Sequence, residues 1–159
     1  MHMANIVLVR IDERLLHGQI RITWGKFSGA NTIIVANDDI AANPLLQAPF
    51  KGAAGGEYTV LFRSIDQLIN SINKADERRR ILILCKNPTD VARLVNGGVT
   101  FKEVNVGNMH HNSERTQVDK NVSLSPNDIE AFKSIQNNGI ESYIQHMPES
   151  SKKNIFEYI

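Results

Sequence analysis

A single cysteine, Cys85, is the whole of this chain's thiol chemistry. That excludes an intrachain disulfide and any cysteine-rich metal site. Cys85 ends the stretch Ile81-Leu82-Ile83-Leu84-Cys85 and reads as a small buried core residue. Long apolar runs are also missing: these five residues are the longest, against the roughly 18 to 20 that a membrane-spanning helix needs. Charge of one sign is not in excess either. The formal net charge of +1 argues against nucleic acid as a bulk electrostatic partner, although it leaves room for a local anion site. No signal segment is apparent, since the N-terminus leads directly into a strand pattern. Met1-His2-Met3 is read as start or tag residues, and His2 is left out of the chemistry. Together these features point to the cytoplasm. A phosphate-clasping Gly-x-x-x-x-Gly-Lys-[Ser/Thr] loop is absent. Gly52-Ala53-Ala54-Gly55-Gly56 lies after a helix-like stretch and before a strand, the wrong order for a dinucleotide fingerprint, and reads as a helix stop and turn.

What is present fits one domain over residues 1–159, with 42% hydrophobic and 22% charged residues. Ile6-Val7-Leu8-Val9 is a continuous run rich in β-branched residues, as a strand buried on both faces requires. Residues 32–36, 58–62, 81–85 and 103–106 read the same way, and 141–145 adds a late strand. Helix-length stretches lie between them, at about 18–27, 44–54, 65–74 and 89–96. Ser64 and Pro88-Thr89-Asp90 mark helix starts, and Gly97-Gly98 a helix end. Ser125-Pro126-Asn127-Asp128 opens a further helix that Asn138-Gly139 closes, and the tail from Glu149 reads as a short terminal helix. The alternation predicts an α/β fold: a single-domain, mainly parallel sheet with helices on both faces and an antiparallel edge strand. Ligands of such sheets sit at the carboxyl ends of the strands, which directs attention to the loops there.

The loop after the first strand, Arg10-Ile11-Asp12-Glu13-Arg14-Leu15-Leu16-His17-Gly18-Gln19, packs two arginines, two acids and a histidine into eight positions. Gly18 lets a ligand approach the backbone closely. A helix starting there would aim free N–H groups and its positive end at His17, where an anion would be stabilised. Arg10 and Arg14 could fork onto phosphate oxygens. Asp12 could hold one ring nitrogen of His17 as a donor and leave the other free to attack. The plainer reading stands beside this one: Asp12 and Glu13 pair with Arg10 and Arg14 as a structural cluster, and His17 merely starts a helix.

The segment from Arg10 to Gln19 resembles the active-site loop of IIB subunits of bacterial phosphotransferase uptake systems of the mannose/fructose/sorbose type, approximately Arg-Ile-Asp-x-Arg-Leu-x-His-Gly-Gln. The resemblance covers essentially the whole chain. It continues through Trp24, Ile34-Val35-Ala36-Asn37-Asp38 and Val104-Asn105-Val106-Gly107-Asn108-Met109-His110. It implies a phosphoryl carrier, a phosphotransferase without metal or other cofactor, in which His17 accepts phosphate from a IIA partner. The group then passes to a sugar bound by the membrane subunits IIC and IID, with which the chain would associate peripherally. The sugars it admits are mannose, fructose, sorbose and amino sugars such as N-acetylgalactosamine. It favours Nδ1 of His17 as the phosphorylated atom. Arg14 is then the first choice as an oxygen clamp, with Arg10, Asp12, Gly18 and Gln19 in support. Arg10 abuts the strand and is a candidate for a salt bridge, whereas Arg14 lies in the loop proper. A carrier met by two partners in turn should expose His17 on a shallow or protruding loop.

Four residues are candidates for the rim of the site. Asn37 and Asp38 follow the second strand, although capping the next helix, started by Pro44, is the favoured reading. Asn108 and His110 follow the fifth strand; adjacent His110 and His111 in an extended loop should point apart rather than share a metal. His146 reads as structural, Trp24 as core or interface, and Arg78-Arg79-Arg80 as a solvated turn. The alternative function is a small-molecule α/β enzyme with His17 as general base, signalled by a deep enclosed pocket. A third is a module that senses an anion without transferring it.

Overall fold

The computed structural model describes residues 3–159, so Met1 and His2 of the expected start or tag segment lie outside the described residues. Seven strands form one sheet in the order β3-β2-β4-β1-β5-β8-β9. In chain order these are β1 (Asn5–Asp12), β2 (Thr32–Ala36), β3 (Thr59–Arg63), β4 (Arg80–Cys85) and β5 (Glu103–Asn108), then, after a separate hairpin, β8 (Glu141–Ile144) and β9 (Lys153–Asn154). All pairings are parallel except that of β9 with β8 at one edge, the antiparallel edge strand expected. The hairpin, β6 (Thr116–Asp119) with β7 (Val122–Leu124), forms a second small sheet.

Period-two alternation sorts the central strands onto two cores. Ile81, Ile83 and Cys85 of β4 face one side, and Leu82 and Leu84 the other. The first side is covered by α5 (Ile65–Ser71), α6 (Pro88–Asn96) and α7 (Pro126–Asn137), through Leu68, Val91, Leu94 and Phe132. The second is covered by the chain after β1. There α1 (Gly18–Ile20) runs through a π-helical turn, Arg21–Gly25, into α2 (Lys26–Ser28), and α4 (Pro44–Ala53) packs alongside. Ser64 caps α5 and Ser125 caps α7, each in a reciprocal capping box. Three segments differ from expectation, the first being the β6–β7 hairpin, which the sequence reading did not mark. A five-residue helix, α3 (Asp38–Ala42), precedes α4, and the tail forms β9 and a 3-10 turn, Ile155–Glu157, because two residues there complete the edge of the sheet.

On the second face, Leu8, Arg10 and Asp12 of β1 point the same way, with Arg10 lying over the Trp24 ring. Two polar residues therefore stand in a row on a central strand, and the chain has to compensate for both.

Candidate active site

Asp12 is the last residue of β1, its side chain only 1% exposed. Its carbonyl accepts from Leu15 N at 2.8 Å, and its Oδ1 accepts from Arg14 N at 2.9 Å, which folds the chain sharply back. Leu15 completes the turn at φ +57°, in the left-handed region. That conformation costs a leucine about 1–2 kcal/mol. Burial of the Leu15 and Leu16 side chains in the second core, worth about 1.5–3 kcal/mol each, offsets it. Burial of the two leucines and the hydrogen bonds to Asp12 fix the loop, and of its charged side chains Arg14 is the exposed one.

His17 follows as the extended residue before α1. Its Nε2 lies 3.4 Å from Asp12 Oδ2, which also accepts from Asn108 Nδ2 at 3.1 Å. With a carboxylate as neighbour, Nε2 is placed to donate, which in the neutral ring leaves the lone pair on Nδ1. Nδ1 is withdrawn from solvent and has no hydrogen-bond partner among the described residues. Burial works to raise the Asp12 pKa, but the hydrogen bonds from His17, Arg14 and Asn108 outweigh it and hold the carboxyl below its ordinary value. The carboxylate is thus anionic and committed to three donors.

The two arginines diverge, and neither makes the salt bridge considered for it. Arg10 is 3% exposed. Its Nη1 donates to the Asn105 side chain and to Gln145 O, and Nη2 to His146 O at 3.3 Å. Its guanidinium lies 4.5 Å from the centre of the Trp24 ring. Burial lowers its pKa to about 10, with Asp12 partly opposing. Both terminal nitrogens are thus engaged inside the protein, which ties β1 to β5 and β8. Arg14 is exposed, and its guanidinium has no partner among the described residues. Glu13 pairs with neither arginine of its own loop, but with Arg115 and, at 2.9 Å, with His110 Nδ1. Arg115 in turn donates to Asp128 Oδ2 at 3.0 Å, so the loop is braced against the start of α7.

These residues border an open cleft of about 380 Å³ at the carboxyl ends of β1 and β5. Arg10, Asp12, Arg14, His17, Gln19 and Asn108 line it, as do Trp24, His146 and the hairpin-turn residues Lys120 and Asn121. A Cβ on Gly18 would meet nothing within 4 Å, so the backbone there is open to an approaching group. Three rim candidates lie elsewhere. Asn37 caps α3, accepting from Ile40 N at 3.0 Å, and Asp38 accepts from Ile65 N and pairs with Arg93. Both follow β2, which β4 separates from β1. Two strand spacings, about 10 Å, keep them away. His110 sits outside the cleft on Glu13, and His111 contacts Ser123, so the two histidines do point apart. Sequence reasoning missed Lys120 and Asn121, and it took His146 as structural only. The hairpin that brings in the first two is short and polar, with no alternation strong enough to mark it.

The sequence profile described as the PTS system sorbose subfamily IIB component matches residues 6–159. The chain belongs to this family. It is 40% identical to the N-acetylgalactosamine-specific phosphotransferase enzyme IIB component 2 of Escherichia coli K12, over 99% of this chain and 100% of that protein. It is 36% identical to the mannose-specific EIIAB component of the same strain, covering 97% of this chain but 48% of that one. The crystal structure of the N-acetylgalactosamine-specific IIB component 1 from E. coli superposes with a TM-score of 0.92 at 36% identity, covering 95% of this chain and 99% of the other. That of an N-acetyl-galactosamine IIB component from Streptococcus pyogenes gives 0.93 at 32%, covering both chains fully. The chain is thus an α/β IIB component of a sugar phosphotransferase system. Among its described residues no helix is long and apolar enough to cross a membrane.

Proposed function

We propose that His17 is the phosphoryl carrier: Nδ1 accepts the group from a phosphorylated IIA protein and delivers it to a sugar held by the membrane subunits IIC and IID. The observation that carries this reading is the asymmetry of the imidazole, with Nε2 on the Asp12 carboxylate and Nδ1 unpartnered. In the first step the Nδ1 lone pair attacks phosphorus and the bond between phosphorus and the donor breaks. Its electron pair leaves with the donor. The ring keeps its Nε2 proton, and Asp12 stabilises the positive charge that the ring acquires. In the second step a sugar hydroxyl attacks phosphorus, the P–Nδ1 pair returns to the ring, and the hydroxyl proton leaves to a base on the acceptor side. Little further covalent chemistry is needed, so positioning and charge stabilisation dominate. Arg14, exposed and unpaired, is the clamp for the equatorial oxygens. Arg10 shapes the floor, and Gly18 leaves space for the group. The withdrawal of Nδ1 from solvent implies that partner docking uncovers it. Because relatives at 40% and 37% identity are N-acetylgalactosamine-specific, that amino sugar is the first acceptor to test.

The test is phosphate transfer from phosphoenolpyruvate through the general enzymes and a matching IIA, followed by intact mass under alkaline conditions. Wild type should gain one phosphoryl group and His17→Ala none. Labelling that survives in His17→Ala moves the site elsewhere. No labelling from any IIA brings forward an enzyme using His17 as general base.

A further inference from the structure

The β6–β7 hairpin turns at Lys120-Asn121. Its tip is anchored on both sides of Lys120. Asp119 Oδ2 lies 3.6 Å from His146 Nε2, and Asn121 Nδ2 donates to His146 Nδ1 at 3.2 Å. The Asn121 carbonyl accepts from Met109 N at 2.9 Å. One imidazole thus holds the two neighbours of Lys120 with its two nitrogens. The Lys120 ammonium itself has no hydrogen-bond or ion-pair partner among the described residues, and Lys120 lines the cleft that His17 lines.

The charges along that cleft are few. Asp12 is its one carboxylate, committed to three donors, and Arg10 is engaged within the protein. Two cations remain uncommitted, Arg14 from the β1 loop and Lys120 from the hairpin turn. A transferring phosphoryl group spreads charge over three equatorial oxygens, more than one guanidinium fork can meet. A compact ammonium on a flexible four-carbon stem suits an oxygen that arrives only when a partner docks.

We infer that Lys120 is a second catalytic cation of the phosphoryl transfer, engaging a phosphoryl oxygen from the wall of the cleft formed by the β6–β7 turn. This rests on His17 as carrier. Lys120 forms no covalent bond and gives up no proton; the bonds made and broken are those of the His17 transfer.

The experiment uses the full chain and a phosphorylated IIA. Wild type, Lys120→Ala and Lys120→Arg are compared by the single-turnover rate at saturating donor and by a ³¹P NMR titration of the phosphohistidine. Lys120→Ala should lower the limiting rate about tenfold to hundredfold, and Lys120→Arg should restore most of it. Loss of the cation should also raise the pKa of the phosphoryl group, because a neighbouring positive charge favours the dianion. Thermal midpoints should match, the residue being exposed. A wild-type limiting rate overturns the inference, even if half-saturation rises, since Lys120 would then serve docking only. A slower rate with an unmoved titration overturns it too, because the ammonium would then touch the donor rather than the phosphoryl group. Failure of the underlying reading looks different: His17 would take no label in wild type.

Discussion

Two loops of this molecule have nearly the same ingredients and different fates. Both follow the carboxyl end of a buried parallel strand, and both carry acids and cap-forming polar residues. The loop after β1 keeps its polar atoms for the cleft: Asp12 for His17, Nδ1 for nothing internal, Arg14 for solvent. The loop after β2 spends its own on the fold. Asn37 caps α3, Asn43 caps α4, and Asp38 reaches the first N–H of α5 and Arg93. Composition does not separate them; strand order does. The chain leaves β1 toward β2 on one side, and β5 later takes the place on the other side of β1. The end of β1 is therefore where successive connections diverge, and a crevice opens there. β5 alone of the later strands sets a polar side chain, Asn108, in register with Asp12.

The largest effect expected within this contrast is that of Asp12→Asn. The amide would present N–H either to Arg14 N, now on Oδ1, or to His17 and Asn108, both now on Oδ2, so the turn or the His17 anchor loses its acceptor. Phosphoryl acceptance should fall about tenfold to hundredfold, the usual cost of losing a partner that orients a reactive imidazole. Stability should fall by about 1–3 kcal/mol at neutral pH. The pH dependence gives a separate signature. The Asp12 pKa is depressed in the folded state, so its contribution is present above the unfolded carboxyl value and lost as pH falls through the folded one. Denaturation midpoints followed from about pH 5 downward should therefore drop less steeply in Asp12→Asn than in wild type. Equal slopes would show that Asp12 is not the anion that holds this loop.

Next in size is Gly107→Ala. Gly107 lies in β5 on the face of Arg10, and an added Cβ would stand 2.5 Å from the guanidinium Cζ. The glycine is thus needed for space rather than for turning. Overpacking of this kind costs about 1–3 kcal/mol. The obstacle is a side chain, so Gly107→Ala should cost much less in an Arg10→Met background. A double-mutant cycle by urea denaturation measures that coupling. Additive effects would mean that the backbone, not Arg10, sets the limit at this position.

Much of this was legible in the sequence because it depends on local signals. The β-branched runs marked six strands of the main sheet, and Ser64 and Ser125 announced their helices. The segment from Arg10 to Gln19 pointed to His17 through its own residues and its family resemblance. What stayed hidden depends on distance or on weak pattern. Glu13 finds Arg115 at 102 positions' remove, which no local spacing suggests. Arg10 looked like an anion ligand because its acceptors are mostly backbone carbonyls near the end of β8, invisible as a motif. The hairpin carrying Lys120 has seven strand residues, several of them polar, and takes its place from packing near β5 and α7 rather than from propensity. The left-handed Leu15 defies local preference, and burial together with the turn's hydrogen bonds to Asp12 holds it there.

The smallest effect is the one that tests the comparison from its quiet side. Asn37 accepts from Ile40 N at 3.0 Å at the start of α3, and its own N–H donates to Arg63 O across to β3. Asn37→Ala keeps the backbone bond and loses only the cap, so stability should fall by about 1 kcal/mol. The phosphorylation rate of His17 should be unchanged, because β4 stands between this loop and the cleft. Both quantities can be read from one preparation, by thermal denaturation and by single-turnover labelling. A change in rate out of proportion to the loss of stability would mean that the second loop reaches the site through a partner that spans both. Strand order would then separate the two loops only in the isolated chain.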